Sequence, residues 1–489
     1  MTTNRVVRNT LALFTGQTGA QLLALAFMAY LTKTLPENDV GSLSFAFTFV
    51  VLLNVLSEFG MWTLIVRDVA RNLTLAADYF WNSLVLKTLL AVLAALLGWL
   101  VLALFYPAHD LRVLCWIAMA WLLFNAWYFS AAALFRAFQE HHLDGVLSFS
   151  GKLVYVLGGL VVLITVRDLR WVAAAFTLAM GAQCLVAIVL VVRRHPALRF
   201  TCSLSRQYFL LCHAFLFFAI NAFTTLHLKF ALMVIGKFCT RAEIAYFNIA
   251  SMLVLVPIVL ANAFVQSMYP VLSECHAQGD AEFWPKVKLG MRWLAALAFP
   301  VIFFMSIDGG RMITGVFKRE YVAGLVPLQI LLWGLGLEFF NPFSGHVLYV
   351  LNRQKTVIVI TAASVVTNII ANLILVPRYG IIGASCAMVI SLSVMFWGYA
   401  LALRRWLPLT HLFGRILPPL LVAGALAPLA WWLRAHVPFV VNGALYCLLC
   451  AAAYFGLGLL RWQDLHMFAA GRGARPVAPD ADDITAVNE

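Results

Sequence analysis

The chain has 489 residues, of which 63% are hydrophobic and 11% are charged, and its formal net charge is +13. So apolar a composition excludes a water-soluble globular protein and indicates one that crosses a membrane many times. Most of the nine cysteines lie within apolar segments, where we expect them to pack as small apolar side chains. No spacing of His, Cys, Asp or Glu is typical of a metal site, so we predict no metal and no cofactor.

Apolar runs follow one another along the whole chain. About fourteen of them have roughly 18 to 26 residues, enough for a tilted helix to cross about 30 Å of hydrocarbon. The runs are continuous rather than alternating, which favours helices over the strands of a β-barrel. They centre on Leu22, Leu53, Ala94, Leu123, Leu157, Ala182, Ala222, Val256, Ala298, Gly336, Val366, Ile390, Gly424 and Leu449. The sequence therefore predicts an all-α polytopic membrane protein with about 14 transmembrane helices.

The basic residues follow the predicted topology. With the amino terminus inside, about 20 lysines and arginines fall in inside segments and about 11 in outside segments, as the positive-inside rule requires. We therefore predict a multi-pass membrane protein with both termini cytoplasmic, and no nucleic-acid binding. Connecting segments of at most about 20 residues leave no room for a soluble catalytic domain, so we predict no catalytic residues and no enzyme activity.

Two parts of the chain resemble each other when the sequence is shifted by 204 residues. The shift places Asp39-Val40-Gly41 on Glu243-Ile244-Ala245, and Met61-Trp62 on Val265-Gln266. An even number of spans separates the repeats, so the halves would share one orientation, related by a pseudo-twofold along the membrane normal. We predict two six-helix lobes plus two extra helices and a disordered cytoplasmic tail, in residues 1–200, 201–410, 411–462 and 463–489.

Three stretches carry a family resemblance: LTKTLPENDVGSLSFAFTFVVLLNVLSEFGMWTLIVRDVAR, EIAYFNIASMLVLVPIVLANAFVQSMYPVLSE and LVPRYGIIGASCAMVIS. They resemble oligosaccharide flippases, the polysaccharide-transporter branch of the multidrug/oligosaccharidyl-lipid/polysaccharide exporter superfamily. The resemblance implies a central cavity and alternating-access export of undecaprenyl-diphosphate-linked oligosaccharide, an O-antigen, capsule or exopolysaccharide repeat unit. The export would run from the inner to the outer leaflet of the bacterial plasma (inner) membrane. The implied partners are this lipid-linked oligosaccharide and membrane lipids, with polysaccharide polymerase and glycosyltransferases as further candidates. Relatives often carry Arg-x-Asp where this chain reads Lys229-Phe230-Ala231, so the cation is kept and the acid is missing.

Polar side chains within the predicted spans are the candidate substrate ligands. An unpaired polar group in hydrocarbon is costly and must turn toward other helices or water. The span Glu243–Pro270 carries such residues in one stripe at helical spacing. Amides suit sugar hydroxyls and ammonium groups suit a diphosphate. The candidates are Gln17, Gln21, Asn54, Lys152, Asn221, Lys229, Asn248, Asn262 and Gln266. Instead of contacting substrate, the two glutamines could equally form interhelical hydrogen bonds. For Lys152 the equal alternative is that its side chain extends to the lipid headgroups.

Other titratable groups lie within spans. Glu58 and Glu338 are candidates either for a coupling-ion site or for an ion pair with a buried lysine. Lys87 lies near the predicted inner interface, and we expect its stem to carry the ammonium group to the lipid headgroups. For His227 we expect a structural role.

Two other functions remain open. A cation-coupled multidrug exporter of the same superfamily typically has a carboxylate in its first helix, where this chain offers Gln17 and Gln21. A membrane glycosyltransferase or polysaccharide polymerase would have a long external loop with catalytic residues, and no such loop is predicted.

Overall fold

The computed structural model of the protein describes residue 19 and residues 23–166, 168–196 and 198–461. Within these residues the chain is helical and contains no strand. The α-helices of this described part, in order, are α1 (Leu23–Thr34), α2 (Glu37–Glu58), α3 (Met61–Arg71), α4 (Ala76–Phe105), α5 (His109–Ala137), α6 (His141–Thr165), α7 (Leu169–Arg194), α8 (Leu204–Phe238), α9 (Arg241–Gln278), α10 (Asp280–Val316), α11 (Leu325–Val350), α12 (Gln354–Leu403), α13 (Leu409–Leu433) and α14 (Phe439–Gly456). Short 3₁₀ helices, Leu73–Leu75 and Arg319–Gly324, precede α4 and α11.

In the described residues, twelve of these helices are long and apolar enough to cross a membrane. The prediction of an all-α polytopic membrane protein is thereby confirmed. Gln17 and Gln21 lie outside the described residues, as does the predicted tail after residue 462.

Helix α12 contains two of the predicted spans in one continuous element. The runs centred on Val366 and Ile390 both lie within Gln354–Leu403. Between them Gly380 has φ 55° and ψ −135°, which is a conformation that side chains with a Cβ rarely adopt. The helix therefore breaks at this glycine rather than in a polar connecting loop.

Helix α3 is an element that the apolar runs did not predict. It follows α2 after Phe59 and Gly60, whose φ angles of 50° and 69° are left-handed and turn the chain. Leu64 and Ile65 are buried while Arg67 is exposed, so the helix is amphipathic. Eleven residues are too few to cross a bilayer, and only the helical spacing of apolar residues could have indicated α3.

Helix α9 begins with a capping box. The Thr240 backbone N–H donates to Glu243 Oε2 at 2.8 Å, and the Glu243 N–H donates to Thr240 Oγ1 at 3.3 Å. These reciprocal bonds satisfy donors that have no partner inside the helix. The start of α9 is thus fixed by local sequence.

Contacts between Cα atoms divide the chain into two compact units. The first contains the described residues of 1–254, 309–334 and 361–394, and the second those of 255–308, 335–360 and 395–489. Helices α9 to α12 therefore each contribute residues to both units. The boundaries of the two predicted lobes stay a prediction.

In the first unit α5 is the helix with the most neighbours, since it packs against α2, α3, α4, α6 and α7. Its run Ala131, Ala132 and Ala133 is fully buried, and these small side chains allow the neighbouring helices to come close. Phe80 of α4 and Phe135 of α5 fill the same core.

In the second unit the last two helices pack against α10. Asn442 of α14 donates from Nδ2 to Asp308 Oδ2 at 2.5 Å and to the Ala430 carbonyl at 3.1 Å. Arg292 of α10 donates to the Leu459 carbonyl at 2.9 Å. Interhelical hydrogen bonds therefore hold α13 and α14 in place on α10.

Candidate functional site

A buried ion pair joins α2 to α4. Lys87 Nζ lies 3.0 Å from Glu58 Oε1, and the two side chains are 0% and 7% exposed. The same carboxylate oxygen accepts the Trp62 backbone N–H at 2.8 Å, so it also caps the first turn of α3. Each charge offsets much of the cost of burying the other. The expectation that Lys87 snorkels to the interface is therefore wrong, because its ammonium group has a carboxylate within reach inside the protein.

Glu58 thus lies in an ion pair, and a coupling role for it stays a prediction. Its carboxylate is directed toward α4 and the turn into α3.

Asn54, one turn before Glu58, is also hydrogen-bonded within the protein. Its Oδ1 accepts from Asn125 Nδ2 of α5 at 3.0 Å and from Ser57 Oγ at 3.0 Å. Both bonds use the carbonyl oxygen, so a contact with substrate would have to come from the amide nitrogen. Asn125 is 4% exposed and was not singled out by the sequence, since a lone asparagine in an apolar run has no further signal.

Lys152 of α6 lies on an aromatic surface. Its Nζ is 4.3 Å from the ring centroid of Tyr155, which stacks on Phe176 with centroids 3.8 Å apart. Phe27 of α1 meets both rings edge-on. The lysine is half-buried and forms no ion pair among the described residues. Its ammonium group thus contacts the face of an aromatic ring.

Helix α8 carries two candidate residues, Asn221 and Lys229, and also His227. Lys229 is half-buried and, within the described part of the chain, has no carboxylate partner, while Asn221 is exposed. His227 is 8% exposed, and neither ring nitrogen has a hydrogen-bond partner among the residues that the structure describes. Two buried nitrogens without partners are costly, so the structure gives no stabilising role to this imidazole.

The polar stripe of α9 is divided between the two units. Asn248, in the first unit, donates from Nδ2 to Ser44 Oγ of α2 at 3.0 Å. Asn262 and Gln266, in the second unit, are exposed. Exposed amides on a membrane-spanning helix have to face water or a polar ligand, because hydrocarbon offers them no partner.

Glu338 of α11 is half-buried and forms no ion pair with a described residue. Pro342 follows four residues later and has no N–H, so the Glu338 backbone carbonyl also lacks its helical donor. The side-chain carboxylate and the backbone carbonyl place two acceptors at this point of the helix.

Two polar clusters were not anticipated from the sequence. Asp308 of α10 is fully buried and accepts from Asn442. Across the break in α12, Asn368 Nδ2 donates to Ser391 Oγ at 3.0 Å, and Ser364 Oγ donates to the Ser391 carbonyl at 2.7 Å. The four-residue spacing of Ser364 and Asn368 was the only pattern in the sequence that could have indicated the second cluster.

No group of His, Cys, Asp and Glu among the described residues is arranged to hold a metal ion.

Comparisons with known proteins agree with this architecture. The profile of a family described as "Polysaccharide biosynthesis protein" matches residues 6–276. The probable low-salt glycan biosynthesis flippase Agl15 of Haloferax volcanii is 24% identical over 162 residues, which are 33% of this chain and 34% of that protein. The chain thus spans only 34% of the length of this curated relative.

Solved structures share the fold. The lipid II flippase MurJ in an inward closed conformation superposes with a TM-score of 0.73 at 13% identity, over 92% of this chain and 99% of that one. An outward-facing multidrug resistance MATE transporter of the MOP superfamily gives 0.59 at 17% identity, over 82% and 95%. Because both sequence identities are below 25%, these structural similarities establish only that the fold is shared.

We expect Lys87→Met to lower the free energy of unfolding by about 3–5 kcal/mol, because it leaves Glu58 buried without a counter-charge. The double change Lys87→Met with Glu58→Gln should recover most of this loss, since glutamine still accepts from Trp62 without carrying a charge. Thermal unfolding of the detergent-purified proteins measures both. Equal stability of the single variant and the parent would contradict the structural importance of the pair.

Proposed function

Because the chain belongs to the polysaccharide biosynthesis protein family, we propose that it is a flippase for an undecaprenyl-diphosphate-linked oligosaccharide. It moves an O-antigen, capsule or exopolysaccharide repeat unit from the inner to the outer leaflet of the bacterial plasma membrane by alternating access. Both termini are cytoplasmic in this proposal, and the protein carries out transport rather than catalysis.

The observation that carries the proposal is the pair of half-buried lysines, Lys152 and Lys229, that have no carboxylate partner among the described residues. A charged group in a span costs about 2.5–3.5 kcal/mol and needs a partner. The diphosphate of a lipid-linked sugar supplies negative charge and strong acceptor oxygens. We assign the two ammonium groups to this part of the substrate.

The saccharide needs groups that both donate and accept hydrogen bonds. The exposed amides Asn221, Asn262 and Gln266 have this chemistry. Asn54 and Asn248 already bond other side chains and can add one further contact each. The remaining members of the proposed site are Gln17 and Gln21, which precede the described part of α1.

A cation-coupled multidrug exporter is the second candidate. It is supported by the shared fold of the MATE transporter and by the unpaired carboxylate of Glu338 in the described chain. Two lysines without counter-ions would repel an organic cation, which is why we favour the anionic substrate. Binding of organic cations to the purified protein, abolished by Glu338→Gln, would favour the exporter.

We expect Lys229→Ala to reduce export of the lipid-linked oligosaccharide. Loss of one charge-assisted hydrogen bond, about 1.5–3 kcal/mol, corresponds to an export rate about 10- to 150-fold lower at limiting substrate. The measurement is the amount of glycolipid left on the inner leaflet when the variant replaces the native protein at equal membrane level. Lys237→Ala is the matched control, because Lys237 is an exposed lysine on the same helix. Full export by the Lys229 variant would remove this lysine from the mechanism.

Variants of Lys152 and Tyr155 test whether the contact between this ammonium group and the aromatic ring contributes to export. A desolvated cation–π contact contributes up to about 2 kcal/mol, so Tyr155→Leu should weaken export by up to about 30-fold, whereas Tyr155→Phe keeps the ring and the activity. Lys152→Met should reduce export and Lys152→Arg should retain most of it. The same glycolipid assay applies, and unchanged export by Lys152→Met would show that this lysine has no role in transport.

The membrane potential provides a further test. If about two negative charges cross uncompensated from an inside-negative face, a potential of 100 mV favours export by about 5 kcal/mol. Transport by vesicles carrying the cell's own lipid-linked oligosaccharide should then accelerate as the clamped potential is raised. A rate that does not depend on the potential would mean that a protein cation moves with the diphosphate.

A further inference from the structure

Two stacked tryptophan rings bring three segments of the second unit together on the predicted inner side. Trp284, near the start of α10, stacks on Trp406, which follows α12, with ring centroids 6.3 Å apart and 14° between the ring planes. The guanidinium carbon of Arg353, in the turn between α11 and α12, lies 5.9 Å from the centroid of the Trp406 ring. All three residues belong to the second unit. The start of α10 and both ends of α12 therefore meet at one place.

Tight turns fix the backbone at both ends of α12. Asn352 has a φ of 56°, and the Arg353 N–H donates to the Leu348 carbonyl at 2.9 Å, so a left-handed cap ends α11 immediately before Arg353. After α12 the Leu407 N–H donates to the Leu403 carbonyl at 2.8 Å. The side chains of these turns therefore extend from a backbone that is already held in place.

The charged side chains of the two turns are basic. Arg353 and Lys355 at the start of α12, and Arg404 and Arg405 at its end, are exposed. None of the four forms an ion pair with a described residue. Glu282, the acid beside Trp284 on α10, is exposed as well and is unpaired within the described chain. Four positive charges thus have no counter-charge from the part of the protein that the structure describes.

The basic residues at the predicted inner side of the first unit are arranged differently. Four of its arginines form ion pairs with acids, namely Arg67 with Asp68, Arg136 with Asp144, Arg194 with Glu140 and Arg206 with Asp78. The positive-inside rule accounts for basic residues on this side of both units. It does not account for four basic side chains that surround a tryptophan pair without an acidic partner. An anion from outside the protein would supply the missing counter-charge.

The phosphate of a lipid headgroup has the chemistry that these side chains need. A guanidinium group binds phosphate oxygens through two parallel hydrogen bonds, and a lysine adds a point charge. Tryptophan rings favour the interface between hydrocarbon and water. Basic clusters at the cytoplasmic ends of spans attract the anionic headgroups of the inner leaflet. A dissolved phosphate ion would use the charges, but it would gain nothing from the apolar faces of the rings.

We propose that an anionic phospholipid of the inner leaflet binds to the inner basic surface, formed by Trp284, Arg353, Lys355, Arg404, Arg405 and Trp406. The headgroup phosphate supplies the counter-charge and ties this end of the second unit to the leaflet. The proposal is independent of the transported substrate, because it depends only on the charges and rings of this surface.

Lipid binding to the detergent-purified full chain tests the proposal. Native mass spectrometry measures the affinity for phosphatidylglycerol, which is anionic, and for phosphatidylcholine, which has no net charge. Phosphatidylglycerol should bind more tightly to the parent protein. Combining Arg353→Gln, Arg404→Gln and Arg405→Gln should weaken its binding on the order of 100-fold, at about fivefold for each charge removed.

The matched control removes the same number of charges elsewhere on the predicted inner side. Arg71→Gln, Arg193→Gln and Arg199→Gln change three exposed arginines of the first unit, and together they should leave the affinity for phosphatidylglycerol unchanged. An equal loss in this control would show a general effect of net charge and would overturn the inner basic surface as a site.

Three further results would overturn the proposal. These are equal affinity of the parent for the two lipids, unchanged affinity in the triple variant of the surface, and displacement of phosphatidylglycerol by an equal concentration of inorganic phosphate, which would assign the surface to the free ion. If the triple variant does not fold, Arg404→Gln with Arg405→Gln changes only two exposed side chains and should weaken binding about 25-fold. Unchanged binding by this double variant would be equally decisive against the site.

Discussion

Hydrocarbon offers no hydrogen-bond partner to a polar group, and the placement of polar residues throughout this protein depends on that constraint. Glu58 is paired with Lys87, Asn54 with Asn125, and Asp308 with Asn442. In each case the two residues lie on different helices. The polar groups of the spans therefore fix which helices are neighbours, a task for which apolar packing between similar helices is less selective.

The same constraint distinguishes the residues that remain without partners in the described chain. Lys152 and Lys229 lack a carboxylate, and both nitrogens of the buried imidazole of His227 lack any partner. A protein that only had to be stable would gain by replacing these groups with apolar ones. Their presence is explained when a polar substrate, water or an ion occupies the spans during part of the transport cycle. An anionic substrate fits the ammonium groups, which is why the lysines carry more weight than the shared fold in the proposed function.

The contact between α2 and α9 joins equivalent positions of the internal sequence repeat. Ser44 and Asn248 lie 204 residues apart, which is the shift that aligns the two parts of the sequence, and a hydrogen bond joins them. Gly41 removes the side chain that would keep the backbones apart. A neutral hydrogen bond and close packing hold this end, whereas the buried ion pair of Glu58 and Lys87 lies within one half. The ion pair of Arg206 with Asp78 also joins the two halves, so charged as well as neutral contacts hold them together.

The spans and their order were determined by the sequence alone, because the length and hydrophobicity of a membrane helix are local properties. This holds even for α12, where two apolar runs continue through Gly380 without a polar loop. The short helix α3 was missed, since eleven amphipathic residues lack the length that marks a span. The type of candidate ligand, amide or ammonium, was also predicted from the sequence and stays a prediction.

Only the tertiary structure decided which polar residues pair and which stay open. Lys87 was expected at the lipid headgroups, yet it meets Glu58, 29 residues away, because α2 and α4 pack side by side. No sequence pattern singled out Asn125 or Asp308, although both are buried and hydrogen-bonded to another helix. The partner of a polar side chain depends on how each helix is rotated about its axis, and that rotation is set by packing against helices distant in sequence.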